Sequence, residues 1–153
     1  MDYMLTFTKD CCDREIIAWL AWSSRGLPGE PVRAMLIEAV EKRFGDVDAG
    51  PATLEFLSDN GCAYRAHETH AIARQLGLTP IQTPVCSPQS NGMAESFVNT
   101  FKLDYVSQMN RSTAAAVLDQ LPNAFEHFNE VHPYSALKWK SPRMFRWELG
   151  RQV

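Results

Sequence analysis

A chain of 153 residues, 45% hydrophobic and 22% charged, holds apolar material for one core and too little for two comfortable domains. Its net charge of −3 excludes a protein that gathers nucleic acid by bulk attraction, so any such contact must rest on local charge. No apolar run reaches the roughly eighteen residues of a membrane span, and the start lacks the basic and cleavage pattern of a signal peptide, which predicts a cytosolic protein without a membrane partner.

The first elements are two strands. Met4 to Lys9 and Glu15 to Trp22 are rich in β-branched, aromatic and apolar residues, and the polar stretch Asp10 to Arg14 separates them as a hairpin connection does. Pro28 and Gly29 then break the pattern. Val32, Met35, Leu36, Ala39, Val40 and Phe44 recur at helical spacing, with Gly45 as a stop. After a loop over Asp46 to Pro51, Thr53 to Ser58 forms a short apolar run that delivers Asp59 at its C-terminal end. Ligands bind at that edge in open α/β sheets. A helix from about Glu68 to Leu76 closes at Gly77, Thr79 to Thr83 reads as another strand, and Pro84 to Asn91 reads as a loop. From about Ser90 to Met109 the pattern is helical again, with Met93, Phe97 and Phe101 on one face and Glu95, Asn99 and Lys102 on another. Thr113 to Asn129 is helical in composition, and Pro122, which lacks an amide donor, is expected to divide or kink it.

The cysteines point to no scaffold. Adjacent Cys11 and Cys12 are poorly placed to bridge one another, and a zinc site from Cys62, His67, His70 and Cys86 matches no familiar spacing. Charge is uneven along the chain: Lys138, Lys140, Arg143, Arg146 and Arg151 are opposed near the end only by Glu148. That segment reads either as a solvated surface or as a basic tail.

Asp59 and Glu95 carry the chemistry. One acid ends a strand, the other lies one turn into a helix, and thirty-five residues (60 to 94) separate them. Phosphoryl transfer on DNA needs oxygen ligands that hold Mg²⁺ against the scissile phosphate, and carboxylates on two rigid elements can converge there. Such sites usually need a third carboxylate. Alone, Ser58-Asp59-Asn60-Gly61 is an ordinary turn, and Glu95 an ordinary exposed helix residue. Their combination with the small-residue stretch Ser87 to Gly92, where backbone amides can approach a phosphate, sharpens the reading. Lys102, two turns beyond Glu95, is placed to reach a DNA phosphate.

At these residues the chain resembles the OrfB-type transposases of bacterial insertion sequences, whose core is similar to retroviral integrase. The resemblance runs from the Thr6 to Trp19 region through Leu57-Ser58-Asp59-Asn60-Gly61, Ser87 to Phe97 and Lys102. It continues to Phe128-Asn129-Glu130-Val131-His132-Pro133-Tyr134-Ser135-Ala136-Leu137 and Ser141-Pro142-Arg143. It implies an α/β, ribonuclease-H-like fold, a mixed sheet flanked by helices, with an integrase-like core over 1–128 and a basic tail over 129–153. It also implies two Mg²⁺ or Mn²⁺ ions held by two aspartates and a glutamate. Asp59 matches the second aspartate and Glu95 the glutamate; Asn91-Gly92 belong to the same motif, and Lys102 matches the lysine that contacts the DNA end. The expected partners are transposon-end and target DNA and further copies of an intact transposase, acting at the bacterial nucleoid.

The family's first aspartate lies on a central strand preceding the one matched by Met4 to Lys9, and no such strand is present. Asp2 lacks its context, and Asp10 is assigned a structural role in the turn. The sheet is therefore expected to leave backbone groups unpaired between the family's second and fourth strands. Metal-dependent strand cleavage and transfer is the predicted function, impaired without that strand. The alternative is a non-catalytic DNA-binding or interfering transposase remnant; a general nuclease of the same fold fits the motifs less well.

Overall fold

The computed structural model describes residues 4–22, 28–45, 54–83 and 92–151. Ten named elements follow one another in these stretches. They are β1 (Met4–Lys9), β2 (Ile16–Trp22), α1 (Gly29–Phe44), β3 (Leu54–Ser58), α2 (Cys62–Arg65), α3 (His67–Gln75), β4 (Leu78–Gln82), α4 (Gly92–Asp104), α5 (Ala114–Glu130) and α6 (Pro142–Arg151). Short 3₁₀ turns at Val106–Gln108 and Ser135–Leu137 link the later helices.

The chain divides into two compact units, one formed by Ile17–Ser96 with β1 up to Thr8, the other by Lys9–Ile16 and the chain from Phe97 onward. In the first, the sheet is split. Among the described residues β1 pairs only with β2, and β3 only with β4. β3 and β4 run parallel, in register from Leu54 opposite Leu78 to Ser58 opposite Gln82, and α2 and α3 make the crossover between them.

Helix α1 supplies the core of this unit. Its apolar spacing puts Leu36 and Val40 against Ala73, Leu76 and Leu78, while Met35 and Ala39 pack on Ala18 of β2. Gly45 ends the helix in the left-handed conformation (φ 79°) and donates its N–H to the Glu41 carbonyl at 2.8 Å. A residue with a Cβ is strained there, which accounts for glycine as the stop.

The second unit is held by rings. Phe97 and Phe101 on α4, and Tyr105 just beyond its end, stand at successive turns and meet Phe125 and Phe128 of α5. Phe101 stacks on Phe125 at 4.6 Å, and Phe128 meets Phe97 edge-on at 5.1 Å. Pro122 does not divide this region: α5 runs as one helix from Ala114 to Glu130 with the proline inside it. The proline is exposed on the outer side, and the buried residues Leu121, Ala124, Phe125 and Phe128 hold both halves against the same core, which offsets the roughly 3 kcal/mol cost of an interior proline.

Polar groups close the same unit. Asp10 caps the hairpin turn, its Oδ1 accepting from the N–H groups of Cys12 (2.7 Å) and Asp13 (3.0 Å), the structural role expected of it. The buried Asn129 amide binds both main-chain groups of Ile16, Oδ1 accepting from its N–H and Nδ2 donating to its carbonyl, each at 2.9 Å. Near the chain end, Arg143 meets Glu126 and Glu130 at 2.5 Å and Glu15 at 3.4 Å, and Arg146 meets Glu15 at 2.8 Å. Lys140 pairs with Glu148. Arg143 and Arg146 of the last segment are thus answered by glutamates earlier in the sequence.

Lys9 sits over the rings of Phe97 (5.2 Å) and Tyr134 (5.1 Å) and donates to the Tyr134 hydroxyl at 3.2 Å. Burial, reinforced by repulsion from Arg14, lowers its pKa from 10.5 to about 8. Between these values the unfolded chain binds the proton and the folded chain does not, so this group adds stability as pH rises above 8. Tyr105, whose pKa burial and then Asp104 push up to about 12, acts oppositely above pH 10. Thermal melts from pH 8 to pH 10 should therefore show a stabilising slope that Lys9→Met reduces. Asn129→Ala should lower the stability measured by urea unfolding by about 2–4 kcal/mol, because it strands two buried main-chain groups of Ile16.

Candidate nucleic-acid-processing site

The C-terminal ends of the two parallel strands are tied together by the turn that follows β3. Thr83 donates its N–H to the Ser58 carbonyl at 2.9 Å, and the Asn60 side-chain amide donates to the Thr83 carbonyl at 2.8 Å. Asp59, between these two residues, is exposed, and its Oδ1 accepts the Gly61 N–H at 2.8 Å. An Asx turn thus orients the carboxylate at the sheet edge. A Cβ at Gly61 would lie 2.9 Å from Asp59 Oδ1, so a larger residue there would push that carboxylate aside.

Tyr64, on the short helix α2, is the neighbour that registers this charge. Burial raises its pKa, the hydrogen bond with Thr6 works in the other direction, and the negative charge of Asp59 adds to the rise. Tyr64 and Asn60 are parts of this edge that the sequence reading did not single out. The turn propensity of Asn60 was visible; its reach to Thr83, twenty-three positions away, was not.

Glu95 is exposed in the first turn of α4, and Gly92 is the first residue of that helix, with open space where a Cβ would stand. Lys102 is exposed on the same helix; seven residues beyond Glu95, it lies about 10 Å further along a nearly matching face. Asn91 lies outside the described residues. No hydrogen bond or ion pair joins Asp59 to Glu95 among the described residues, and no group of three or more His, Cys, Asp or Glu side chains there is arranged to hold a metal ion. Both Asp59 and Glu95 are exposed carboxylates, oxygen donors of the kind a hard divalent cation takes.

Comparison with known proteins places this arrangement. Residues 76–142 match the family model described as "Integrase core domain". A chain in the simian T-cell lymphotropic virus intasome, solved by cryo-EM in complex with the PP2A regulatory subunit B56 gamma, superposes with a TM-score of 0.68 at 18% identity. The alignment covers 94% of this chain and 48% of that one. The catalytic core domain of BIV integrase superposes with a TM-score of 0.51 at 18% identity, over 98% of this chain and 95% of that domain. The fold is therefore the ribonuclease-H-like fold of integrase cores.

The sequence relatives are more specific. Transposase InsD for insertion element IS2A/D/F/H/I/K of Escherichia coli is 49% identical over 141 residues, which is 92% of this chain and 46% of the relative. The sequence of this chain is similar to OrfB-type insertion-sequence transposases with an integrase-like core along 92% of its length. It spans less than two thirds of the length of the curated relatives it matches first.

Gly61→Ala should leave the thermal midpoint nearly unchanged, because the clash is with the end of a side chain, yet displace the Asp59 carboxylate. A changed Asp59 side-chain carboxyl NMR signal with an unchanged melt is the expected result.

Proposed function

We infer that this chain forms part of a transposase core that cleaves DNA strands and transfers them by metal-dependent phosphoryl transfer. The observation that carries the reading is Asp59, exposed and oriented by an Asx turn at the C-terminal edge of parallel strands, within a chain 49% identical to an insertion-sequence transposase. Asp59 and Glu95 are assigned as metal ligands. When bound, two Mg²⁺ or Mn²⁺ ions supply charge stabilisation at the attacking and leaving oxygens of an in-line displacement. Such divalent ions are general among integrases and transposases.

The side chains have separable tasks. Asp59 presents its carboxylate from a turn clamped at Asn60 and Gly61, so little reorganisation is required to meet a cation. Glu95 is an acceptor and carries no proton to the reaction. Lys102 binds a phosphate of the DNA end, Gly92 lets the backbone approach the nucleic acid closely at the start of α4, and Asn91 is assigned to the same DNA contact. Transposon ends and target DNA are the substrates, and further transposase subunits are the expected protein partners. No helix among the described residues is long and apolar enough to cross a membrane.

The test joins this chain to the remainder of an InsD relative and measures strand transfer on end oligonucleotides with Mg²⁺ or Mn²⁺. Asp59→Asn and Glu95→Gln should each reduce the rate by about a hundredfold or more while DNA retention in gel shifts changes by less than about twofold. Unchanged transfer in either variant overturns the assignment. Lys102→Ala should instead weaken DNA binding and reduce the salt slope by about one.

A further inference from the structure

Between α5 and α6 the chain makes a tight loop from Tyr134 to Lys140. An antiparallel bridge closes it, with the Tyr134 N–H donating to the Lys140 carbonyl at 3.1 Å. Inside the loop, Trp139 donates its N–H to the Tyr134 carbonyl at 2.9 Å, and Lys138 donates its own to the Ser135 carbonyl at 3.2 Å. Both flanks are anchored. Leu137 is buried before the tip and Ser141 and Pro142 after it, while Tyr134 is held by Lys9 and meets Phe128 edge-on at 6.1 Å. All of these residues belong to the second unit.

The tip is strained. Lys138 (φ 57°) and Trp139 (φ 65°) stand side by side in the left-handed region, which residues with a Cβ avoid and bulky ones avoid most. The hydrogen bonds of the tip are made by main-chain groups, so glycine would serve the backbone better than tryptophan. Packing does not offset the strain: Trp139 is 72% exposed, and its ring meets no other ring among the described residues. The tip therefore holds a bare aromatic face outward at an energetic cost, the kind of outlier that marks a site of contact. Beside it stands an unneutralised cation. Lys140, Arg143 and Arg146 are each paired with glutamate, whereas the exposed Lys138 ammonium meets no carboxylate among the described residues.

We propose that Trp139 is a stacking platform for an unpaired DNA base, with Lys138 meeting the adjoining phosphate. An indole next to a free ammonium is complementary to a base next to a phosphate, since the base has an apolar face and the phosphate a negative charge. A protein surface is matched less well. The neighbours Ser135, Ala136 and Lys138 are exposed and carry no large apolar side chain, so a partner protein would find one ring rather than a patch. A base inside a duplex has both faces covered by its neighbours, so the platform selects single-stranded or frayed DNA. This inference rests on the reading of DNA as the substrate and adds to it a residue that holds an opened strand.

The probe is an end-labelled oligothymidylate of about 12 nucleotides, bound to the whole chain without divalent ions and followed by fluorescence anisotropy. Trp139→Ala should weaken binding by about tenfold, and Trp139→Tyr by less than about threefold. Trp139→Gly, which suits the positive φ, should lose binding as the alanine variant does while melting at the parent temperature or above it. On a fully abasic strand of the same length the parent should bind more weakly, with no further loss in Trp139→Ala. Lys138→Ala should lower the salt slope by about 0.7. No binding by the parent chain overturns the proposal, as does unchanged affinity in Trp139→Ala or an equal loss on the abasic strand. Self-association of the chain that Trp139→Ala abolishes, measured by light scattering, overturns it in favour of a protein contact. Asp59→Asn should bind the oligonucleotide as the parent does, so a Trp139 effect without a strand-transfer defect in Asp59→Asn overturns only the carboxylate assignment, and the reverse pattern overturns only the platform.

Discussion

Every buried main-chain donor and acceptor must find a partner, and this protein is organised around where its partners come from. The clearest case is Asn129. Its amide presents a donor and an acceptor to Ile16 much as a neighbouring strand does, so the start of β2 is completed by a side chain on α5. The first turn of the hairpin, the end of α5 and the aromatic layer from Phe97 to Phe128 are held together by this contact within one unit. Glu15, next to Ile16, is buried and answered by Arg143 and Arg146 from α6. Leaving that carboxylate buried without them would cost several kcal/mol.

The same constraint shapes the edge bearing Asp59. β3 ends because Asp59, Asn60 and Gly61 favour a turn, and the turn uses those side chains: Asp59 takes the Gly61 amide while Asn60 takes the Thr83 carbonyl. Local backbone satisfaction therefore orients the acid on which the proposed chemistry depends. Glu95 is placed differently, by its position in the first turn of α4, where a carboxylate is also stabilised by the positive end of the helix dipole.

Much of the architecture was legible in the sequence for reasons that are local. β1 occupies Met4–Lys9 as its composition predicts, α1 stops at Gly45 as expected, and β3 ends immediately before Asp59. β4 starts one residue earlier than expected, at Leu78, and α4 is shorter, closing at Asp104 before a 3₁₀ turn. Helix α2 went unrecognised because four residues carry no periodicity. Pro122 misled for the opposite reason: its intrinsic cost is real, and the burial of Leu121, Ala124, Phe125 and Phe128 outweighs it only in the folded core. The last segment looked basic because the glutamates that meet Arg143 lie at 15, 126 and 130.

The sequence by itself determined the element order, the strand-end position of Asp59, the first-turn position of Glu95 and the kinship with transposases, since periodicity, turn chemistry and motif spacing are properties of neighbouring residues. Tertiary structure decided the division of the sheet into two pairs, the clamp of Asn129 on Ile16, the burial of Lys9 between two rings and the neutralisation of Arg143. Each of these joins residues brought together only when the chain closes on itself, and its energy depends on what surrounds the group once water has been removed.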